Sequence, residues 1–185
     1  PFFEGHVVMG AVPVLVHPEP REVAIVGLGT GGTAWAAACR KETRAITVFE
    51  LSGSQPRLLE RMETRAALPD LLELRRDPRF RLRVADGRNA IEQGDALYDV
   101  IEQDPIFPDR AFSGNLYSVE YFQRCARKLK PGGILCSWAP TPRIFAAMAE
   151  AFPHLLGTPD RLVVLATKEP LHADLAGWIA RLDSQ

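Results

Sequence analysis

Four glycines and three carboxylates are the residues whose types and spacing suggest chemistry. Gly27, Gly29, Gly31 and Gly32 follow directly on the apolar run Val23, Ala24, Ile25 and Val26, and an alanine-rich stretch comes next. The first composition suits a buried parallel strand and the second a helix, so the glycines occupy a strand-to-helix turn. Glycine there lets the backbone bend sharply and lets a ligand approach without Cβ interference, with the amides of the new helix facing it. Such a turn suits a nucleotide-type cofactor. Gly27, Gly29 and Gly32 also satisfy G-x-G-x-x-G, which by itself does not say which cofactor. Glu50 closes the run AITVFE at the distance expected of an acceptor for ribose hydroxyls, whether in a dinucleotide or in S-adenosylmethionine; otherwise it is a solvated strand-end acid. Asp86-Gly87 reads as an ordinary turn or as an acceptor for an exocyclic adenine amine, with the glycine letting the ring lie flat. Asp104, fixed by Pro105, is either an Asp-Pro turn or a carboxylate that holds or deprotonates an amine nucleophile.

These residues need a scaffold that gathers them. Strands are expected over residues 23–26, 45–50, 80–84, 98–103 and 134–138, with a late, antiparallel strand over 161–167. Helices are expected over 33–40, 56–74, 89–94, 118–129, 142–152 and 174–182. The second of these carries Leu58, Leu59, Met62 and Ala66 as its apolar positions. Ser118 is a plausible cap with Glu120 in the first turn, and Pro131-Gly132-Gly133 stops that helix. Residues 12–16 form a short apolar run, and the prolines of HPEP give an extended entry into the first main strand. On this reading residues 1–20 are the remnant of an N-terminal region and 21–185 a cofactor-binding domain. The loop 106–116 is rich in turn formers and long enough to expect a role.

Strand and helix alternate repeatedly, so the fold class is α/β, a mostly parallel sheet with helices on both faces. Ligands of such sheets bind at the carboxyl ends of the strands, where 27–32, Glu50, Asp86 and Asp104 all fall. Asp99 and Glu102 read as ordinary strand charges, and Tyr117, Tyr121 and Phe122 as core.

Composition narrows the function classes. With 185 residues, 46% of them hydrophobic, the chain can bury one sizeable core. A net charge of −1 supplies no global field for nucleic acid or anionic membrane. No apolar run approaches the roughly 20 residues that span a bilayer. The opening PFFEGHVVMG lacks the pattern of a signal peptide and an initiator Met, so a piece of a longer chain is expected. Cys39, Cys125 and Cys136 are odd in number and lack metal-ligand spacing, so reduced thiols in a cytoplasmic domain without a metal are expected. No histidine has a triad pattern, and the P-loop motif is absent.

In order along the chain, HPEPREVAIVGLGTGG, VFE, ADGRNAI, YDVIEQD and LYSVEYFQRCARKLKPGGILCSW resemble the spermidine synthase family of aminopropyltransferases, over about residues 6–138. The resemblance implies the Rossmann-like class I methyltransferase fold and decarboxylated S-adenosylmethionine as co-substrate. It implies that Gly27, Gly29 and Gly31 line the cofactor with Thr30 among them, that Glu50 holds the ribose, and that Asp86 and Gly87 meet the adenine. Asp104 matches the carboxylate that assists attack of a diamine nitrogen on the activated carbon. A small-molecule acceptor such as a polyamine, and a homodimer, are the partners it implies.

The departures are specific. Thr30 stands where the family has an acid paired with the cofactor's terminal amine. Phe107, in DPIFP, replaces the second acid of D-x-x-D-P, and Gly5-His6-Val7 keeps at best one residue of the upstream motif. The family's N-terminal β-hairpin region is nearly absent. A diamine carries two cations that acids hold at both ends, and a lost buried charge pair costs roughly 2–5 kcal/mol. VGLGTGGTA and LYSVEYF also look like soluble domains of bacterial spermidine synthase-like proteins, some of them fused behind membrane-spanning regions.

The expectation is a transferase domain that binds S-adenosylmethionine or its decarboxylated form and moves an aminopropyl or methyl group to a small amine-type acceptor. One alternative is a methyltransferase using the intact co-substrate, which Thr30 favours because an acid there would repel its carboxylate. Another is a non-catalytic cofactor-binding module. An NAD-dependent oxidoreductase leaves Asp86 and Asp104 without a role.

Overall fold

The run Glu22–Val26 becomes β1, and its last four residues are buried on both faces. The computed structural model describes residues 2–66, 69–103, 107–160, 162–172 and 174–183, with side chains for all of these except 2–3 and 62–71. Around β1 stand β2 (Ala45–Glu50), β3 (Phe80–Val84), β4 (Tyr98–Gln103) and β5 (Leu129–Ser137), all parallel. A short β6 (His154–Gly157) and β7 (Val164–Thr167) complete the sheet in the order β3-β2-β1-β4-β5-β7-β6. β7 runs antiparallel to β5 and to β6, which gives the expected late antiparallel strand. β6 was not expected from the sequence. Residue 161, where the last strand was expected to begin, lies outside the described residues.

Helices cover both faces, as the alternation requires. Alternate residues of each strand face opposite ways, so Ala24 and Ile101 pack with α5 (Gly87–Gln93), α6 (Val119–Lys128) and α7 (Pro142–Ala151). Val23, Ile25 and Val100 pack on the other side with Val14 of α1 (Phe2–Val16), Ala34 and Ala37 of α2 (Gly32–Ala37), Leu59 of α3 (Gln55–Ala66) and Leu74 of α4 (Pro69–Arg76). The single helix expected over 56–74 is two, and the side chains of Met62 and Ala66 lie outside the described ones. The last element is α8 (Leu175–Asp183), none of whose residues is buried.

The largest departure from the sequence reading is α1. Of its residues only 12–16 were read, as a short apolar run, yet Phe2–Val16 form a helix that tolerates Pro13 near its end. Among its described side chains Met9, Gly10, Pro13 and Val14 are buried, as is His17 just past its end, a helical spacing that identifies the inner face. A Cβ built on Gly10 would lie 2.1 Å from the Thr33 carbonyl oxygen and 2.9 Å from Ala36 Cβ, so α1 and α2 touch backbone to backbone. Helix ends leave carbonyls without intrahelical partners. Buried Arg40 donates to the carbonyls of Val14 (2.7 Å), His17 (3.2 Å) and Pro18 (3.1 Å). Arg181 of α8 donates to those of Leu15 (2.9 Å) and Val16 (3.2 Å).

α6 ends at Lys128, and Ser118 caps it by accepting the Tyr121 N–H at 3.3 Å. Pro131-Gly132-Gly133 do not separate helix from strand. They lie inside β5 as an irregularity, where Tyr98 pairs with Leu129 but Val100 with Ile134, and Gly132 takes φ 74°.

Gly10→Ala is expected to lose about 3 kcal/mol in urea denaturation, because rigid backbone must move to admit one methyl. Gly114→Ala, whose Cβ would meet nothing within 4 Å, is the control and should stay within about 0.5 kcal/mol.

Candidate functional site

At the end of β1 the chain leaves the sheet through Gly27 (φ 100°), whose N–H donates to the Phe49 carbonyl at 2.8 Å, and Gly29 (φ 52°). Both conformations are left-handed and favour glycine. A Cβ on Gly29 would meet nothing within 4 Å, so the loop presents bare backbone to open space. Glu50, the last residue of β2, reaches across to this loop. Its Oε2 accepts the Leu28 N–H at 2.9 Å and its Oε1 accepts the Ser52 N–H at 2.7 Å. Gln55 donates to the Gly29 carbonyl at 2.8 Å. The glycine loop is therefore tied to the end of β2 and to the start of α3, while each Glu50 oxygen keeps a second lone pair.

Past β3, Asp86 is the N-cap of α5. Its Oδ1 accepts the Arg88 N–H at 3.0 Å, and its Oδ2 accepts Asn89 Nδ2 at 3.0 Å. A Cβ on Gly87 would lie 2.9 Å from Val26 Cγ1 and 3.2 Å from Phe49 Cβ. Close packing of α5 on β1 and β2 is thus a sufficient reason for that glycine, apart from any flat ring.

These tips surround one cleft of about 670 Å³, within the range typical of small-molecule sites. Gly27, Gly29, Glu50, Asp86 and Gly87 all line it. Thr30 is exposed and Gly31 is buried at the start of α2, and neither is among the lining residues. Asp104 lies outside the described residues, as do Pro105 and Ile106. Of the loop expected to be functional, Ala111, Phe112, Ser113, Asn115 and Leu116 line the cleft, the last four within or beside a 3-10 turn at Ser113–Leu116.

Sequence reasoning missed the loop's attachments. Gln103, the buried last residue of β4, donates to Ser137 Oγ at 2.8 Å and to the Leu116 carbonyl at 3.2 Å. Trp138 Nε1 donates to Tyr117 Oη at 2.6 Å. Phe107, which stands in place of the family's second acid, sets its ring edgewise to Trp138 with centroids 5.1 Å apart. Gln103 follows the charged Glu102 at the end of β4, so nothing in the local sequence singled it out.

Other candidates are structural. Tyr117, Tyr121 and Phe122 are buried core residues. Burial holds the Tyr121 phenol well above its usual range and pushes the Cys125 thiol up to about 12, so both stay neutral. Asp99 accepts the Glu22 N–H at 2.7 Å and pairs with Lys130 at 2.9 Å, binding β1 to β4 and β5. Among the described residues, no helix is long and apolar enough to cross a membrane.

Comparison with known proteins points the same way as the geometry. The family model described as the spermine/spermidine synthase domain matches residues 3–152. Polyamine aminopropyltransferase 1 of Pseudomonas aeruginosa is 32% identical over 144 residues, covering 76% of this chain and 47% of that relative. The chain thus spans about half the length of the curated relatives it matches. A spermidine synthase in complex with the transition-state analogue AdoDATO superimposes with a TM-score of 0.75 at 20% identity, over 97% of this chain and 71% of that one. Human methyltransferase-like protein 13 in complex with SAH gives 0.68 at 16% identity, over 99% and 89%. The fold is the Rossmann-like, methyltransferase type.

Because Asp86 caps α5, Asp86→Ala should lose about 1 kcal/mol of stability in thermal or urea unfolding, whereas Asp86→Asn, an equally good cap, should lose almost none.

Proposed function

The chain belongs to the spermine/spermidine synthase family, and on that premise we propose that its cleft binds an adenosyl sulfonium, S-adenosylmethionine or its decarboxylated form, and that the domain transfers an alkyl group from it to a small amine. The observation that carries this reading is that Glu50 and Asp86, at neighbouring strand tips, share one cleft with the bare backbone of the glycine loop. The spare lone pairs of Glu50 suit two ribose hydroxyls, and Asp86 keeps acceptor capacity for an exocyclic amine. Gly29 leaves room for the sulfonium-bearing tail to run past the loop without meeting a side chain.

A sulfonium supplies an already activated carbon. The protein then needs mainly to align the acceptor and manage one proton. The acceptor's nitrogen lone pair forms the new N–C bond, and the C–S electron pair stays on sulfur to leave a neutral thioether. The proton of the new ammonium passes to a carboxylate. Asp104 is assigned that role, as proton acceptor or ammonium anchor, because in the sequence it directly follows β4, the strand that pairs with both β1 and β5.

Methyl transfer from the intact co-substrate is the second reading. Thr30 supports it because its side chain offers no negative charge to repel the carboxylate, and Phe107 supports it because the second acid that would hold a diamine is an aromatic packed on Trp138.

Calorimetry separates the readings. The protein is expected to bind S-adenosylmethionine, its decarboxylated form and methylthioadenosine, and not NAD. Tighter binding of the decarboxylated form supports aminopropyl transfer; equal or tighter binding of the intact form supports methyl transfer. Asp104→Asn should abolish turnover and change co-substrate affinity by less than about threefold; unchanged turnover removes Asp104 from the mechanism.

A further inference from the structure

Gln103 ends β4 with a side chain that folding alone does not favour. It is fully buried, and its Oε1 has no hydrogen-bond partner among the described residues. A buried acceptor left unpaired costs more than an apolar group of the same shape. Register sets Gln103 beside Val26 of β1 and Ser137 of β5, and Ile101, two residues earlier on the same face, is an ordinary core residue.

What the amide supplies is two donors on one nitrogen. Nε2 donates to Ser137 Oγ at 2.8 Å and to the Leu116 carbonyl at 3.2 Å. The opposite amide orientation would set an oxygen against a carbonyl that can only accept, so chemistry fixes which way the donors face. Ser137 Oγ donates onward to the Trp138 carbonyl at 3.0 Å, and Trp138 Nε1 reaches Tyr117, the neighbour of Leu116. The bonds therefore close a circuit between the tips of β4 and β5 and the connection after β4. Within that connection, the bonds of Ser113 Oγ to the Arg110 carbonyl (2.7 Å) and of the Tyr117 N–H to the Gly114 carbonyl (3.1 Å) are internal. They shape the segment, and the Gln103–Leu116 and Trp138–Tyr117 bonds join it to the sheet. Leu116 and Val26 line the cleft, and Gln103 stands behind both.

We infer that Gln103 is a positioning residue for co-substrate binding: its amide nitrogen pins the Leu116 carbonyl to β4 and so holds the outer wall of the cleft in its binding shape. The inference rests on the adenosyl reading above and adds a residue behind the wall to those that line it. Gln103 touches no ligand itself. A side chain retained at a cost to folding, for bonds that a binding wall uses, is expected where function opposes stability.

The test is calorimetry of methylthioadenosine and S-adenosylmethionine with wild type and Gln103→Met, joined to thermal unfolding and amide hydrogen exchange of both proteins. Methionine keeps the length and unbranched shape of glutamine and has no donor. Gln103→Met should weaken both ligands roughly tenfold, the worth of about one hydrogen bond. It should unfold at a temperature no lower than wild type. The unpaired Oε1 is gone, Ser137 Oγ keeps its bond to Trp138, and water in the cleft reaches the half-buried Leu116. Without ligand, the Asn115 and Tyr117 amides should exchange faster than in wild type, and the Gly27 amide should not. Unchanged affinity in Gln103→Met overturns the positioning role alone and leaves the adenosyl reading standing. Lost affinity that comes with a lower unfolding temperature and faster exchange at Gly27 also overturns it, since Gln103 would then be an ordinary core residue. Failure of the wild type to bind either ligand overturns the adenosyl reading and this inference together.

Discussion

The site depends on one carboxylate. When the chain leaves β1 through left-handed glycines, its amides lose the ladder that satisfied them in the sheet, and an unpaired polar backbone is costly where water is excluded. Glu50 resolves this by accepting from Leu28 and Ser52 at once, so one side chain at the end of β2 shapes the loop of β1 and the turn after β2. The same carboxylate lines the cleft. Its structural bonds leave a second lone pair on each oxygen, so the residue that shapes the loop keeps capacity for its proposed binding role.

Behind the site, order is kept by arginines placed at helix ends. Arg79 donates to the carbonyls of Ala38 and Arg40, both at 2.8 Å, where α2 stops, and it is anchored by Asp77. Arg40 in turn holds the end of α1. Each guanidinium meets the negative end of a helix with several donors, a geometry that a lysine does not reproduce. The contact of α1 with α2 at Gly10 and this chain of caps together settle where α2 lies. The position of α2 then settles where the glycine loop must end.

The parts legible in the sequence are those with a local cause. The apolar run of β1, the glycine turn, Glu50 and Asp86 at strand ends and the cap at Ser118 all follow from spacing or short-range chemistry. So does the expectation of a functional loop, because a connection that long needs a reason. What could not be read has a tertiary cause. The residues of α1 are apolar on all sides and interrupted by Gly5, Gly10 and Pro13, which propensity counts against a helix, and only the surface of α2 explains Gly10. β6 has four residues and exists because β7 offers it an edge. Phe112 was not singled out in the sequence, since its left-handed backbone and its exposure are visible only in the fold.

The two guanidiniums at the end of α1 are not equivalent. Arg40 belongs to the connection between α2 and β2 and is sealed from solvent, whereas Arg181 arrives on a helix that contributes no buried residue of its own. α8 is therefore joined to α1 through Arg181 rather than through a buried apolar face, and the end of the first helix has in Arg40 a second guanidinium that does not depend on α8.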